Sequence, residues 1–337
     1  MTPPLITLEE HFFSSAVPDS LKQAYSEQLK HVPGIFDKLC DLGDLRLRDM
    51  DTGRISLQVV SHAPGLTDPA ACRAANDQLA AAIRAEETRA GGSAREAKSR
   101  FAGFAVAPMG HPQEAAAELR RAVAELGFVG GLVDNHYDGK FFDGPEYDPW
   151  WAAVEGLGVP VYLHPNWPSD DMAPRYRGNF SDAAAMSMGS SGLAWHTDTA
   201  LHVLRLFASG LFDRRPRLKL VIGHFGETIP FMLQRIQMLS RRWGDFRRDF
   251  KTVYDENIWI TTSGVWSLDP LRCILANTKL DHILYSVDYP FQGNAVGLEW
   301  IKELEECGLV NDEQLRAIAY ENAEKLLGIK APRVDEK

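Results

Sequence analysis

The stretch Leu-Ile-Thr-Leu-Glu-Glu-His at residues 5–11 places acidic residues and a histidine directly after a short apolar run. The run is rich in residues that favour β-strands, as expected for a strand buried in a parallel sheet. The same arrangement recurs in three later runs, which end in His164, His224 and Asp288. Because all strands of a parallel barrel end on one face, these side chains are expected to converge on a single metal ion.

The whole chain alternates short apolar runs with amphipathic stretches. The predicted strands are residues 4–8, 56–61, 101–106, 129–133, 160–164, 218–223, 257–262 and 283–287. The predicted helices are residues 70–87, 112–126, 149–156, 198–209, 230–243, 270–277 and 312–327. This alternation predicts the α/β class and, more specifically, a (β/α)8 TIM barrel that forms one domain over residues 1–337.

A doubly wound open sheet is the alternative architecture for alternating strands and helices. It needs a glycine-rich phosphate-binding turn after its first strand, and this chain has Glu9-Glu10-His11 there, so the barrel is favoured. Two long excursions interrupt the alternation, at about residues 12–49 and 166–195, and loops of this kind usually form lids or pocket walls. The charged stretch 84–100 predicts a solvated connection between elements that has no role in the chemistry of the protein.

The composition is that of an ordinary globular protein, with 45% apolar and 24% charged residues. A formal net charge of −10 disfavours nucleic acids and anionic membranes as partners. The four cysteines are scattered without a CxxC pair, which favours a reduced setting over a disulfide framework. Neither a signal-peptide pattern nor an apolar run long enough to span a membrane is present in the sequence, so a cytoplasmic location is expected.

The Glu9-x-His11 pair is the first candidate for metal binding. Residues i and i+2 of a strand point to the same face, so both side chains would be presented together. An exposed acidic turn with an incidental histidine is the alternative. His164, just before Pro165, would bind a divalent ion if it faces the barrel mouth, or would be a hydrogen-bonded core histidine if it does not.

His224 and Glu227 lie in Gly-His-Phe-Gly-Glu, at a strand-to-helix turn. The glycines permit close backbone approach, and the carboxylate is suited to orient or protonate the imidazole. Asp288 would be costly as an unpaired carboxylate at the end of a buried strand. It is alternatively a helix N-cap, although the Tyr-Pro-Phe that follows is not a typical helix start. Taken together, these strand-end positions predict a metal site.

These motifs resemble those of the amidohydrolase superfamily: Glu9-x-His11, His164, Gly-His224-x-Gly-Glu227 and Val-Asp288-x-Pro. The resemblance is to its metal-dependent decarboxylase branch, the relatives of γ-resorcylate, 2,3-dihydroxybenzoate and salicylate decarboxylases and of aminocarboxymuconate semialdehyde decarboxylase. It extends from about residue 5 to about residue 328.

The resemblance implies a role for each motif residue. The metal ligands would be Glu9, His11, His164 and Asp288. His224, backed by Glu227, would lie close to the metal and the substrate and would take part in catalysis together with Asp288.

The number of metal ions follows from the fourth strand. Dinuclear hydrolases of the superfamily often bridge two metals with a carboxylated lysine at the end of this strand. Here the strand reads Gly-Gly-Leu-Val-Asp134 and has no lysine, which implies a mononuclear site. The mixed nitrogen and oxygen ligands admit Zn, Mn or Mg as the divalent ion, and no organic cofactor is expected.

Substrate-binding residues are implied in the same way. Arg235 follows His224 by eleven residues, a spacing at which related enzymes bind a substrate carboxylate with arginine, in some cases across a subunit interface. A solvent-facing helix arginine is the alternative, and a homodimer or homotetramer is expected if Arg235 crosses to a neighbour. Trp195 and Phe291 would wall an aromatic pocket or simply pack at the barrel edge. His62 stands where some relatives have another residue, so it is expected to affect which ring substituents fit.

The activity that the resemblance implies is that of a carboxy-lyase. It is the nonoxidative, reversible decarboxylation of an ortho-hydroxylated aromatic acid such as a dihydroxybenzoate, salicylate, methylsalicylate or orsellinate. The metal would bind the substrate carboxylate and ortho hydroxyl, and Asp288 would protonate the ring carbon. A hydrolase of a lactone or amide would use the same ligands, and a catalytically silent metal-binding barrel is the third interpretation. Bound metal and carbon dioxide release distinguish the three.

Overall fold

The computed structural model describes residues 3–30, 32–89 and 99–332. Eight strands form one sheet in chain order, each parallel to the next. They are β1 (Leu5–Phe12), β2 (Ile55–His62), β3 (Phe101–Val106), β4 (Gly130–Asp134), β5 (Pro160–His164), β6 (Lys219–Ile222), β7 (Ile258–Thr261) and β8 (Ile283–Leu284). The consecutive order confirms the predicted (β/α)8 barrel, because the strand order of a doubly wound sheet reverses at its centre.

Helices connect the strands and surround the barrel. They are α1 (Asp19–Leu29), α2 (Ile35–Cys40), α3 (Asp44–Thr52), α4 (Pro69–Arg89), α5 (Pro112–Leu126), α6 (Asp148–Leu157), α7 (Asp182–Met188), α8 (Ala194–Ala208), α9 (Leu211–Arg214), α10 (Ile229–Ser240), α11 (Phe250–Asn257), α12 (Leu268–Asn277), α13 (Asn294–Glu306), α14 (Asp312–Arg316) and α15 (Asn322–Leu327). None of the helices in the described ranges is long and apolar enough to cross a membrane.

Several predicted elements have different ends in the structure. Strand β1 continues to Phe12, so Glu9 and His11 lie inside the strand and not after it. The helix predicted at 312–327 is interrupted by a π-helical turn at Ala317–Glu321. The ladder of β8 contains only Ile283–Leu284, which is shorter than the predicted strand because side-chain hydrogen bonds take over beyond it.

The two long excursions are partly helical. Residues 12–49 contain α1, α2 and the start of α3, and residues 166–195 contain α7 and the first residues of α8. Helix α13 was not predicted. The charged stretch 84–100 is helical as far as Arg89, and residues 90–98 lie outside the described residues. The extent of the domain, residues 1–337, therefore stays a prediction.

The barrel interior is filled by side chains, so the chemistry is confined to the rim where the strands end. Strand residues that point inward form a packed cluster of Ile6, Leu8, Leu57, Val59, Phe104, Leu132, Tyr162, Val221 and Leu284. Their neighbours along each strand point outward and pack beneath the helices.

Closure of the barrel between β8 and β1 depends on the side chain of Ser286. Its hydroxyl oxygen accepts the backbone N–H groups of Leu8 at 3.0 Å and Glu9 at 2.8 Å. The same hydroxyl lies 3.1 Å from Glu10 Oε1, to which it donates. One serine thus accepts two backbone N–H groups in place of ladder hydrogen bonds, at the point where β1 carries its first charged residues.

The buried carboxylate of Glu10 completes this closure. It accepts the backbone N–H groups of Val287 at 3.2 Å and Tyr289 at 3.0 Å, the two residues that flank Asp288. Next to these side-chain hydrogen bonds, the backbone N–H of His11 donates to the Tyr289 carbonyl oxygen at 2.6 Å. Burial raises the pKa of Glu10 to about 8, against the effect of these donors. The side chain of Glu10, which lies between Glu9 and His11, therefore holds the backbone on both sides of Asp288 in place.

Replacing Glu10 with alanine is expected to lower the free energy of unfolding by about 2–4 kcal/mol, because buried N–H groups lose their acceptor. Glu10→Gln keeps one acceptor oxygen and should lose about half as much. Chemical denaturation of metal-free protein measures both changes. Glu303→Ala, on the exposed face of α13, is the control and should change stability by about 0.5 kcal/mol or less. An equally small change for Glu10→Ala would contradict a role in closure.

Candidate metal centre

The ends of β1 and β5 and the segment after β8 bring four predicted ligands together: Glu9, His11, His164 and Asp288. One ligand atom from each lies within 4.8 Å of the others. The shortest distances are 3.1 Å from His164 Nε2 to Glu9 Oε1 and 3.3 Å from His11 Nε2 to Asp288 Oδ1. Glu9 and His11 are fully buried, whereas 15% of the Asp288 side chain is exposed at the barrel mouth.

Several buried atoms of this cluster have no hydrogen-bond partner among the residues that the structure describes. They are Glu9 Oε1, both ring nitrogens of His11 and Asp288 Oδ1. An unpaired buried polar atom typically costs about 1–3 kcal/mol, so such atoms rarely gather without a ligand. A divalent cation would satisfy them, and two carboxylates with two imidazoles are a suitable donor set for Zn or Mn. The residues present therefore fit one divalent ion.

Hydrogen bonds outside the cluster hold the ligands in position. Glu9 Oε2 accepts the hydroxyl groups of Tyr162 and Ser263, which leaves Oε1 facing the histidines. His164 Nδ1–H donates to the Pro165 carbonyl at 2.6 Å. That bond fixes the tautomer and leaves the lone pair of Nε2 for a metal, as is usual for histidine ligands.

Burial and neighbouring charges set different protonation states in the cluster. Burial and the charge of Glu9 together raise the pKa of Asp288 to about 8, against the opposing effect of His224. Burial opposes ionisation of Glu9 too, but His224 and His164 hold its pKa well below the usual range. Burial lowers the pKa of His11, and the charge of His164 adds to this effect. The site thus contains an ionised Glu9, a neutral His11 and an Asp288 that can carry a proton.

His224 lies beside the four-residue cluster, with its Nε2 3.9 Å from Glu9 Oε1. It begins a turn in which five consecutive residues, 224–228, have positive φ angles between 49° and 89°. Such angles are uncommon for residues other than glycine. Gly223 precedes the turn, and a Cβ there would lie 2.7 Å from Glu9 Oε2. The close backbone approach expected from this glycine is therefore present.

The buried carboxylate of Glu227 joins two imidazoles. Its Oε1 is 2.8 Å from His224 Nδ1, and its Oε2 is 2.6 Å from His196 Nδ1. Burial alone would lower the pKa of His224, but the charges of Glu227 and Glu9 outweigh it and raise the pKa to about 10. The same pairing lowers the pKa of Glu227 against the effect of burial. His224 is therefore held as a proton-carrying group next to the candidate ligands.

Of the two predicted aromatic pocket residues, Phe291 lies beside the four-residue cluster. The Phe291 ring is 5.6 Å from the His11 ring, centroid to centroid. Trp195 packs edge-on against Trp167 at 4.9 Å, and its buried Nε1 has no hydrogen-bond acceptor. The structure thus places Phe291 at the predicted site, and leaves Trp195 with an unused N–H donor in the first turn of α8.

His62 is placed differently from the other predicted substrate residues. Its Nε2 accepts the Ser14 N–H at 3.1 Å, and its Nδ1 lies 2.6 Å from the Ala63 carbonyl, to which it donates. Burial lowers its pKa to about 4. His62 therefore has no free ring nitrogen for a substrate and contributes a packing surface with Phe12 and Phe13.

Arg235 and Asp134 stand apart from the cluster. Arg235 is exposed on α10 and makes no hydrogen bond or ion pair with any residue that the structure describes. Asp134 ends β4 beside His164 in the sheet, but its Oδ2 accepts the Gly65 N–H and the Asn166 amide. The fourth strand therefore adds no ligand to the four-residue cluster.

Three residues of the site were missed in the sequence. Tyr162 precedes His164 by two positions on β5, so strand alternation placed it on the same face. Ser263 follows β7 in Thr-Thr-Ser-Gly, a polar strand end without a carboxylate or imidazole that would have marked it as a metal-site residue. His196 lies in a helix after a long loop, and no periodic pattern connects it with the strand ends.

Comparisons with known proteins agree with this geometry. A family model described as amidohydrolase matches residues 30–329. The decarboxylase orsB of Emericella nidulans is 53% identical over 334 residues, which is 98% of each chain. The γ-resorcylate decarboxylase of Rhodococcus jostii is 37% identical over 317 residues, 88% of this chain and 91% of the relative. A solved dihydroxybenzoic acid decarboxylase from Polaromonas sp. JS666, with bound manganese and the inhibitor 2-nitroresorcinol, is 31% identical, covers 97% of each chain and has a TM-score of 0.81.

The family match begins before β2 and ends after α15, so it includes seven of the eight strands. The relatives extend over nearly the whole chain at identities well above the level at which only the fold is shared. The chain therefore belongs to the amidohydrolase family.

Proposed function

We propose that this protein is a metal-dependent carboxy-lyase that decarboxylates an ortho-hydroxylated aromatic acid without oxidation and reversibly. Candidate substrates are dihydroxybenzoates, salicylate, methylsalicylate and orsellinate. The observation that carries the proposal is the four-residue cluster with its unpaired buried atoms, open to an aromatic-lined mouth. The decarboxylases among the relatives support the reaction class.

We propose that one divalent ion is held by Glu9, His11, His164 and Asp288. When bound, the ion supplies positive charge for a substrate carboxylate and the adjacent phenolic oxygen. Zn, Mn and Mg all suit these ligands, and manganese is the first to test because the Polaromonas relative contains it. No organic cofactor is required.

The chain's own residues supply the proton and the orientation. Asp288, which is partly exposed at the mouth, is placed to protonate the ring carbon that carries the carboxylate. Proton transfer to that carbon makes carbon dioxide loss possible, because the electrons of the broken bond restore the aromatic ring. His224, kept protonated by Glu227, provides a second proton-carrying group beside Glu9. Phe291 and Trp195 would hold the ring from its faces and edge.

A hydrolase of a lactone or amide is the alternative for the same barrel. It would need the same ligands, and the cluster alone does not distinguish the two reactions. The relatives named as decarboxylases and the aromatic side chains around the mouth favour decarboxylation.

We also propose that the enzyme is a homodimer, or a homotetramer built from two such dimers. Large exposed apolar side chains concentrate between residues 180 and 243, among them Phe231, Met232 and Met238 on α10, the helix of Arg235. Phe231 is 81% exposed, and contiguous apolar surface of this kind usually marks an interface. An Arg235 on this surface would reach the substrate carboxylate of a neighbouring subunit. The unpaired cysteines in the described residues agree with a cytoplasmic setting, which we propose for the enzyme.

Removal of metal and its return should control activity. Protein treated with a chelator is expected to release no carbon dioxide from a panel of 2,3- and 2,6-dihydroxybenzoate, salicylate, 6-methylsalicylate and orsellinate. Addition of about one equivalent of Mn or Zn should restore release from at least one member. Gas measurement together with elemental analysis checks both points. Acidification of a lactone solution without gas would support the hydrolase, and absence of bound metal would contradict the proposal.

Replacing Asp288 with asparagine is expected to abolish detectable turnover, because the amide keeps an oxygen for the metal but carries no transferable proton. Measurement of kcat at saturating metal, with metal content on the same sample, separates the two roles of Asp288. Asp134→Asn is the matched control, a strand-end carboxylate outside the cluster, and should retain turnover. Near-normal kcat for Asp288→Asn would remove Asp288 as the acid.

Arg235→Ala is expected to raise KM about 10- to 100-fold at unchanged metal content, because a charge-assisted bond to the substrate carboxylate is lost. Arg242→Ala, on the exposed segment after α10, is the control. Mixed dimers of Arg235→Ala and Asp288→Asn subunits provide the sharper test. If Arg235 acts across the interface, one site of each mixed dimer is intact and activity returns. Equal loss of metal and substrate binding, or no recovery in mixed dimers, would contradict this role.

A further inference from the structure

His196 lies outside the strand ends and yet contacts the catalytic pair of the proposed reaction. It is the third residue of α8, directly after the long excursion at 166–195. Its ring lies 4.6 Å from the His224 ring, centroid to centroid, at an interplanar angle of 63°. Its Nδ1 is 2.6 Å from Glu227 Oε2. Since a carboxylate can only accept, His196 donates this hydrogen bond.

The bond from His196 occupies the second oxygen of a fully buried carboxylate. The other oxygen, Oε1, accepts from His224 Nδ1 at 2.8 Å. With both oxygens bonded, Glu227 has one orientation, and the imidazole of His224 is held with Nε2 toward the cluster, 3.9 Å from Glu9. Without His196, one oxygen of Glu227 would be left unpaired in a buried position, and the carboxylate would be free to rotate.

The backbone conformation around Glu227 explains why the hydrogen bond from His196 is important. Glu227 and the residues beside it, Gly226 and Thr228, all have positive φ angles. A turn of this kind is held by its surroundings and not by its own preferences. His196 is 31 residues away in sequence, so its bond ties the turn after β6 to the helix that follows the β5 excursion.

The other ring nitrogen of His196 connects to the excursion itself. Nε2 lies 3.1 Å from the Ser191 carbonyl oxygen, between α7 and α8. Each nitrogen of the ring therefore faces an oxygen acceptor, one in the catalytic pair and one in the loop. The ring is 21% exposed, so it lies at the boundary between the buried pair and the mouth.

We propose that His196 is a positioning residue that acts through Glu227 to fix His224 for the reaction, which makes the catalytic unit a His196–Glu227–His224 chain. This proposal rests on the proposed decarboxylase function. It predicts a loss in kcat without a loss of metal, because His196 makes its hydrogen bonds to Glu227 and Ser191 and none to the four candidate ligands in the described structure.

Three substitutions separate the two hydrogen bonds of His196. Asparagine places an amide N–H near the position of Nδ1 and can still donate to Glu227. Glutamine places its amide near the position of Nε2, so it can reach Ser191 and not Glu227. Phenylalanine keeps the ring volume and has no donor.

The expected result is a kcat within about threefold of wild type for His196→Asn. His196→Gln and His196→Phe should lose about 10- to 100-fold in kcat, the usual effect of removing a residue that supports an active-site group. KM, manganese content and melting temperature should change little in all three. Wild-type kcat for His196→Phe, equal losses for Asn and Phe, or a loss that follows metal content or melting temperature would overturn the proposal.

A second measurement does not depend on activity. The Nδ1–H proton of His224 is identified in NMR spectra of ¹⁵N-histidine-labelled protein by its absence from a His224→Gln variant. Its downfield resonance should persist in His196→Asn and should shift or broaden in His196→Phe and His196→Gln. An unchanged resonance in His196→Phe would overturn the proposal. If wild-type protein released no carbon dioxide, the decarboxylase function would fail, and the NMR result would still decide the role of His196.

Discussion

The constraint on which the rest of the structure depends is the closure of β8 onto β1. A parallel barrel must close without an edge, but β8 contributes only two residues to the ladder. Ser286 and Glu10 make up the difference with side-chain hydrogen bonds to backbone N–H groups on the facing segments. Because these bonds flank Asp288 and lie between Glu9 and His11, the interaction that closes the barrel also brings three of the four candidate ligands together.

The electrostatics of the mouth follow from that convergence. Two carboxylates and two imidazoles lie within 4.8 Å of one another, with oxygen and nitrogen atoms that no group in the described part of the chain satisfies. A cation resolves this arrangement, and the surrounding residues are organised around its place. Tyr162 and Ser263 turn one oxygen of Glu9 away from the cluster, and Glu227 holds His224 beside it. In the proposed reaction Asp288 both binds the ion and donates the proton to the ring, and the adjacent His224 carries a second proton.

The fold and the ligands were predictable because both depend on local patterns. Strand runs that lead to Glu9, His11, His164 and Asp288 predicted both the barrel and the convergence of these four side chains, since parallel strands must end on one face. The length of β8 was not predictable, because side chains distant in sequence replace its ladder bonds. His196 was not predictable for a similar reason, since a position on a helix has no fixed relation to the end of a strand. Both ring nitrogens of His62 are engaged in hydrogen bonds, and Arg235 points outward from the barrel. Both outcomes depend on the tertiary arrangement, which a sequence pattern does not contain.

The most direct measurement of the central claim is anomalous diffraction from crystals grown with manganese and a bound hydroxylated aromatic acid. The account predicts one anomalous peak per chain, within bonding distance of Glu9, His11, His164 and Asp288, with the aromatic acid next to it and between Phe291 and Trp195. A peak bound by other residues, two peaks in the mouth, or no peak at saturating manganese would contradict a mononuclear centre built by these four side chains.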